Sequence, residues 1–302
     1  MLGQTNEVQS TMTANWSECD ARLRDLADRQ LFFVGGAPRS GTTWLQQLLD
    51  AHPEVSCRGE ALVPQRLAPA LDAAVAGWRE AVASKNGALF AHTGGFPPPD
   101  DTDADHLVAT AVLLALDRGR AGRHCRAVGE KTPENVFLFP RLQRLFPGAK
   151  LVVIAREPRD VLASAWHMFR VGVPSTDADK ITFVQGALPA LDAGTRATLA
   201  LLRERPESVL AVTYEALYAD AIGVATRLFS FLGASTDAAL VADCVSRTRF
   251  DALAASGRGG TAGRPFLRAG AVGGWRATLP EAAAALVAHD LGWSYPFFGW
   301  TL

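Results

Sequence analysis

Residues 34–45 read VGGAPRSGTTWL, a glycine-rich turn that follows a short apolar run, LFFVG from Leu31 to Gly35, and precedes apolar positions at helical spacing, GTTWLQQLLDA over residues 41–51. Strand, tight loop and helix in that order open a parallel α/β unit, because a strand buried on both faces needs helices to cover it. Gly36 and Gly41 let the backbone approach an anion closely, and the N–H groups of the loop and of the helix start point at it. An ATP-binding loop of this outline places a lysine on the β- and γ-phosphates and a hydroxyl on magnesium. Here Thr42 stands in the lysine position, Thr43 supplies the hydroxyl, and the one cation within the loop is Arg39, three residues earlier. The pattern disfavours ATP hydrolysis and points to a phosphate compound whose transferred group lies elsewhere.

The rest of the chain extends this unit. Asn15 to Arg29 is expected to form a short amphipathic helix, making residues 1–30 an N-terminal helical extension to one domain over 31–302. Helices are expected over 62–90 and 105–120, separated by the exposed loop AHTGGFPPPDDTDAD, and again over 135–147. KLVVIA (Lys150 to Ala155) reads as a second buried strand, leading through a proline turn into the helix VLASAWHMF. A helix over 192–205, a third strand VLAVTY (Val209 to Tyr214) and a helix through Leu232 follow. Three or more apolar strands, each followed by a helix, predict an α/β fold, a single doubly wound domain on a central parallel sheet, with ligands at the carboxyl ends of the strands.

A chain of 302 residues with 48% apolar and 20% charged residues is long enough for a sizeable core. Its net charge of −1 gives no reason to expect a nucleic-acid partner, so any anion site is local. Cys19, Cys57, Cys125 and Cys244 are scattered, without C-x-x-C or zinc spacing. They read as reduced structural thiols, with no metal site, in a cytoplasmic protein. The start MLGQTNEVQSTMTANW has neither a basic opening nor an apolar run, and AVLLAL is far too short to span a bilayer, so no signal peptide or integral membrane segment is expected. Nothing in the sequence decides between a monomer and a homodimer.

Two further segments carry anion chemistry. AREPRDVLASAWH places Arg156 and Ser164 eight residues apart across a strand end and a helix start, a spacing that can bring a guanidinium and a hydroxyl to one phosphate. Near the C-terminus, RPFLRAGAVGGWR (264–276) crowds arginines and glycines into a stretch without helical or strand period, as in a loop folding over an anion.

In order along the chain, these segments resemble the sulfotransferases that use 3′-phosphoadenosine 5′-phosphosulfate (PAPS). Residues 36–45 look like that family's loop for the 5′-phosphosulfate, with Arg39 replacing the commoner lysine, and residues 156–164 look like its 3′-phosphate motif. Residues 268–276 (RAGAVGGWR) resemble its late R-K-G-x-x-G-x-W-K motif, with Ala269 in place of lysine and Gly274 in place of an acid or amide. Tyr214-Glu215 after the third strand also follows the pattern. The resemblance spans residues 31 to 276. It implies a sulfuryl transfer from PAPS to a hydroxyl, leaving adenosine 3′,5′-bisphosphate, with no metal required. It also implies that Arg39, Ser40, Gly41, Thr42 and Thr43 bind the 5′-phosphosulfate, and that Trp44 stacks on adenine. Arg156, Ser164 and Arg268 would hold the 3′-phosphate with backbone at Gly270, and Tyr214 would border the nucleotide. Lys131, in GEKTP, looks like the lysine that stabilises the bridging oxygen.

The small-molecule branch of that family places a histidine base two residues after this lysine; here the position is Pro133. Glu60, in AHPEVSCRGE, is the first candidate base, since this stretch resembles the tyrosylprotein and carbohydrate branches, where a glutamate in this region serves. His167, one helical turn beyond Ser164, is the second, and Glu130 a third. Segments 61–126 and 167–190 are expected to wall the acceptor. Their apolar residues (Leu62, Val63, Phe90, Phe96, Met168, Phe169) suggest a moderately apolar hydroxyl compound, such as a small molecule, natural product or lipid-linked alcohol, with a peptide tyrosine still open. The alternatives to a sulfotransferase are an atypical P-loop kinase, which Thr42 disfavours, and a non-catalytic nucleotide-binding protein, against which Arg39, Lys131 and an acid together weigh.

Overall fold

A computed structural model describes residues 2–169, 176–249, 260–261, 264–265 and 271–301. At its centre lie five parallel strands: β1 (Gln30–Gly35), β2 (Val55–Arg58), β3 (Ala127–Lys131), β4 (Lys150–Ala155) and β5 (Val209–Thr213). Their spatial order is β2-β3-β1-β4-β5. Val34 of β1 stands opposite Lys131 on one side and Val152 on the other, so β1 and β3 end within one residue of each other while β4 runs on to Ala155. The chain leaves β1 toward β2 and later returns to its other side at β4. That reversal opens a crevice at the carboxyl end of β1, the place where doubly wound sheets hold ligands.

Side chains alternate across the sheet, and both faces are covered. Phe32, Val34, Val152, Ile154 and Val212 point to one face and pack against α2 (Thr42–Asp50), α9 (Ala221–Phe231) and α10 (Ala238–Arg247). Leu31, Phe33, Val128, Leu151 and Val153 point to the other, under α1 (Leu2–Ala27), α4 (Asp101–Arg120), α5 (Asn135–Leu145) and the end of α7 (Asp177–Glu204). A smaller cluster joins α6 (Pro158–Phe169) and α7 to α11 (Glu281–Leu291) through Leu162, Val184, Leu188 and Val287. None of the described helices is long and apolar enough to cross a membrane.

Several elements differ from the sequence reading. The first helix begins at Leu2 rather than near Asn15, and buried Leu26 docks it on the sheet. The span 62–90 opens with a π-helical turn (Val63–Leu67) before α3 (Ala68–Leu89). The helix expected at 192–205 starts at Asp177, where Thr176 and Asp179 form a reciprocal capping box. Tyr214, expected to end the third strand, instead starts α8 (Tyr214–Ala219), because the Thr213 hydroxyl accepts from Ala216 N at 3.1 Å and caps that helix. Strands β2 and β3 escaped the reading altogether. VSCR is only four residues long, and AVGEK ends on two charges, which in a buried strand belong to a site rather than to a core.

Candidate active site

The loop between β1 and α2 owes its path to two glycines. Gly36 has φ +136°, and a Cβ there would lie 2.3 Å from Ile154 O; Gly41 has φ +102°, and its Cβ would lie 2.6 Å from the Tyr214 ring. Arg39 also takes a left-handed conformation, φ 75°, a strained state of the kind that clusters at binding loops. Ser40 is buried, and its hydroxyl donates to Ala37 O at 2.6 Å, closing the loop on itself. Thr42 and Thr43 form the first turn of α2, whose N-cap is Gly41 without any side-chain cap. The helix start is thus left to an incoming acceptor.

Beside this loop the second segment converges. Arg39 Nε donates to Ser164 Oγ at 3.3 Å, and Arg156 Nη1 reaches Arg39 O at 3.4 Å. The Arg156 guanidinium carbon lies over the Tyr214 ring, 4.1 Å from its centroid, and Trp44 meets the same ring edge-on at 5.5 Å. The buried Nε of Arg156 has no hydrogen-bond partner among the described residues. Burial, and after it the neighbouring Arg156 charge, pulls the Arg39 guanidinium below its usual value. Among the described residues, two guanidiniums lie side by side with Asp160 3.8 Å from Arg156, an arrangement that offers neighbouring donors to an anion. Trp44 is 9% exposed and its indole N–H donates to Thr248 O at 2.9 Å, so it is an anchored wall of the crevice.

At the end of β3, Lys131 Nζ meets Glu60 Oε1 at 2.6 Å. Lys131 is buried and Glu60 exposed, so the pair puts a covered cation against a carboxylate open to an incoming substrate. Glu130, the adjacent strand residue, points to the opposite face and is buried. Its Oε1 accepts from Asn135 Nδ2 at 2.6 Å; its Oε2 accepts from Thr132 Oγ1 at 2.7 Å and from Ala61 N at 3.2 Å. Asn135 Nδ2 also donates to Val34 O at 3.1 Å. One carboxylate therefore ties together the segment bearing Glu60, the turn after Lys131 and the end of β1. Burial raises the Glu130 carboxyl while its donors oppose the rise. With both oxygens occupied, Glu130 serves as an anchor and is poorly placed for the base role considered above.

The sequence candidates thus gather into two groups, Glu60 with Lys131, and Arg39 with Arg156, Ser164, Tyr214 and Trp44. His167 turns its ring to Thr278 Oγ1 at 3.1 Å. Leu62, Phe90, Phe96 and Met168 are exposed and Val63 is buried. Arg268, Gly270 and the side chain of Phe169 lie outside the described residues. Sequence reasoning passed over Asp160, which is buried and accepts from Gly273 N and Trp275 N. Its place one helical turn after Arg156 was the available signal.

The family model described as Sulfotransferase family matches residues 32–238. Over 129 residues the chain is 31% identical to protein-tyrosine sulfotransferase 2 of Gallus gallus, covering 43% of this chain and 32% of that protein. It spans less than half the length of the curated relatives it matches. Among solved structures, the sulfotransferase domain of the Synechococcus PCC 7002 olefin synthase aligns with a TM-score of 0.55 at 20% identity, covering 91% of this chain and 96% of that one. Mouse sulfotransferase SULT7A1, complexed with PAP, aligns with a TM-score of 0.53 at 16% identity, covering 88% and 84%.

Proposed function

The chain belongs to the sulfotransferase family, and from that premise we propose that it transfers the sulfuryl group of PAPS to a hydroxyl, with adenosine 3′,5′-bisphosphate as the second product. The observation that carries this reading is the Lys131–Glu60 pair at 2.6 Å, standing at the same sheet edge as the anion loop. In-line transfer forms a bond from acceptor oxygen to sulfur and breaks the bond from sulfur to the bridging phosphate oxygen. The acceptor's proton passes to Glu60, and Lys131 neutralises the charge that gathers on the departing oxygen. Arg39 and the N–H groups at Gly41, Thr42 and Thr43 hold the 5′ end, while Arg156 and Ser164 hold the 3′-phosphate.

The acceptor we infer is a phenolic hydroxyl. A carboxylate base is closer in pKa to a phenol, about 10, than to an aliphatic alcohol, so it abstracts the phenolic proton more readily. The likeness to a protein-tyrosine sulfotransferase supports the same class. The test is transfer of labelled sulfate from PAPS to a tyrosine-containing peptide, a small phenol and an aliphatic alcohol. The expected result is a labelled sulfate ester on one of the first two; labelling of the alcohol alone overturns the acceptor assignment, and transfer to none, with no loss of label from PAPS, overturns the reaction.

A further inference from the structure

We propose that Asp160 is the positioning residue that fixes the 3′-phosphate half of the site, by latching residues 271–275 to α6 and orienting Arg156. This rests on the donor reading above. Asp160 lies in the first turn of α6 and is 2% exposed. Both of its oxygens are spent on one short stretch of backbone: Oδ2 accepts from Gly273 N at 2.7 Å and Oδ1 from Trp275 N at 2.9 Å. Gly273 has φ 76° and caps a 3₁₀ turn (Gly274–Ala277), the conformation that turns these two N–H groups toward one carboxylate. From the other side, Arg156 Nη2 donates to Ala271 O at 3.0 Å while lying 3.8 Å from Asp160 Oδ2. The Trp275 ring is held in turn by Arg159, whose guanidinium lies 4.1 Å from its centroid.

The consequence is a preset geometry. With Nη2 committed to the latched segment and Nε buried, Nη1 of Arg156, whose contact with Arg39 O is long, is the part left to meet a phosphate. Replacing one carboxylate oxygen by an amide would set an NH₂ against a backbone N–H and release segment 271–275, and Arg156 with it. Charge alone predicts the opposite sign. Removing a negative charge beside an anion site tightens anion binding, so a loss of affinity in Asp160→Asn reports positioning and not Coulomb attraction.

The experiment is calorimetric titration of wild type, Asp160→Asn and Asp160→Glu with adenosine 3′,5′-bisphosphate and with adenosine 5′-phosphate. Loss of a charge-assisted backbone contact predicts that the bisphosphate weakens about tenfold or more in Asp160→Asn, while the 5′-phosphate compound, lacking the group that Arg156 meets, changes by less than about threefold. Asp160→Glu, which keeps the charge, is expected to recover part of the preference. Unchanged or tighter bisphosphate binding in Asp160→Asn, or equal weakening of both nucleotides, overturns the inference. If Asp160→Asn does not fold, amide exchange in wild type decides: the bisphosphate should slow exchange at Gly273 and Trp275 more than the 5′-phosphate compound does, and equal slowing contradicts the latch. A wild type without preference for the bisphosphate would instead defeat the donor reading itself, so the two failures are distinct.

Discussion

Glu60 and Lys131 stand 71 positions apart in the chain and 2.6 Å apart in the fold. If Glu60 takes the acceptor proton, Glu60→Gln lowers kcat by at least about 100-fold, the usual contribution of a placed base, and leaves the Kd for adenosine 3′,5′-bisphosphate unchanged; steady-state rates and calorimetry on one preparation check both. Unchanged turnover would pass the role to His167. Gly41→Ala forces a Cβ to within 2.6 Å of the Tyr214 ring at a left-handed φ, so it should cost about 1–3 kcal/mol of stability and weaken nucleotide binding, read by denaturant unfolding and titration. At this scale the loop was legible because its glycines and arginine sit next to each other in sequence. Asp160 and the anchoring role of Glu130 were not, because a buried carboxylate shows its partners only once backbone N–H groups from distant segments have met it.

Among elements, the strong apolar runs LFFVG and KLVVIA were readable as strands, whereas β2 and β3 were not. Their short spans carry site residues, Glu130 and Lys131 within β3 and Glu60 just after β2, and site chemistry dilutes the apolar signal. The turn from α2 into β2 makes a pH-dependent prediction. His52 is buried, its Nδ1 accepts from Glu54 N at 3.1 Å, and its Nε2 faces Ser235 O at 3.1 Å, which requires the neutral ring with its proton on Nε2. Burial is the main cause that pulls its pKa below the usual 6.5, with the Ser235 carbonyl and Glu54 opposing. The unfolded chain then binds the proton first, so the contribution is fully present above about pH 6.5, falls as pH drops toward the depressed folded value, and levels off below it. Denaturant unfolding between pH 8 and pH 5 should show this fall, and His52→Gln should flatten it; an unchanged slope in the variant would assign the dependence to other groups.

For the whole molecule, the order of strand, loop and helix announced a doubly wound sheet, and the reversal at β1 places both groups of candidate residues along one edge. The first helix starts earlier than the reading placed it, at Leu2, and its docking depends on distant partners. Leu26 is fully buried, and Arg120 Nη1 reaches Asp25 Oδ2 at 3.0 Å. Leu26→Ala should therefore cost about 2–5 kcal/mol, the range for a large-to-small change in a core, read as a lowered unfolding midpoint; a cost under about 0.5 kcal/mol, the scale of a surface change, would mean the helix is not part of the folded core. The most direct test of the central claim is calorimetric titration with adenosine 3′,5′-bisphosphate and, as control, ATP, each with magnesium and with a chelator in its place, in wild type and Arg156→Ala. Tight binding of the bisphosphate alone, weakened by about tenfold or more in the variant as a lost charge-assisted contact implies, is the predicted result. No binding, or binding of ATP that requires magnesium, would contradict the account and favour a kinase or a non-catalytic nucleotide-binding protein on this fold.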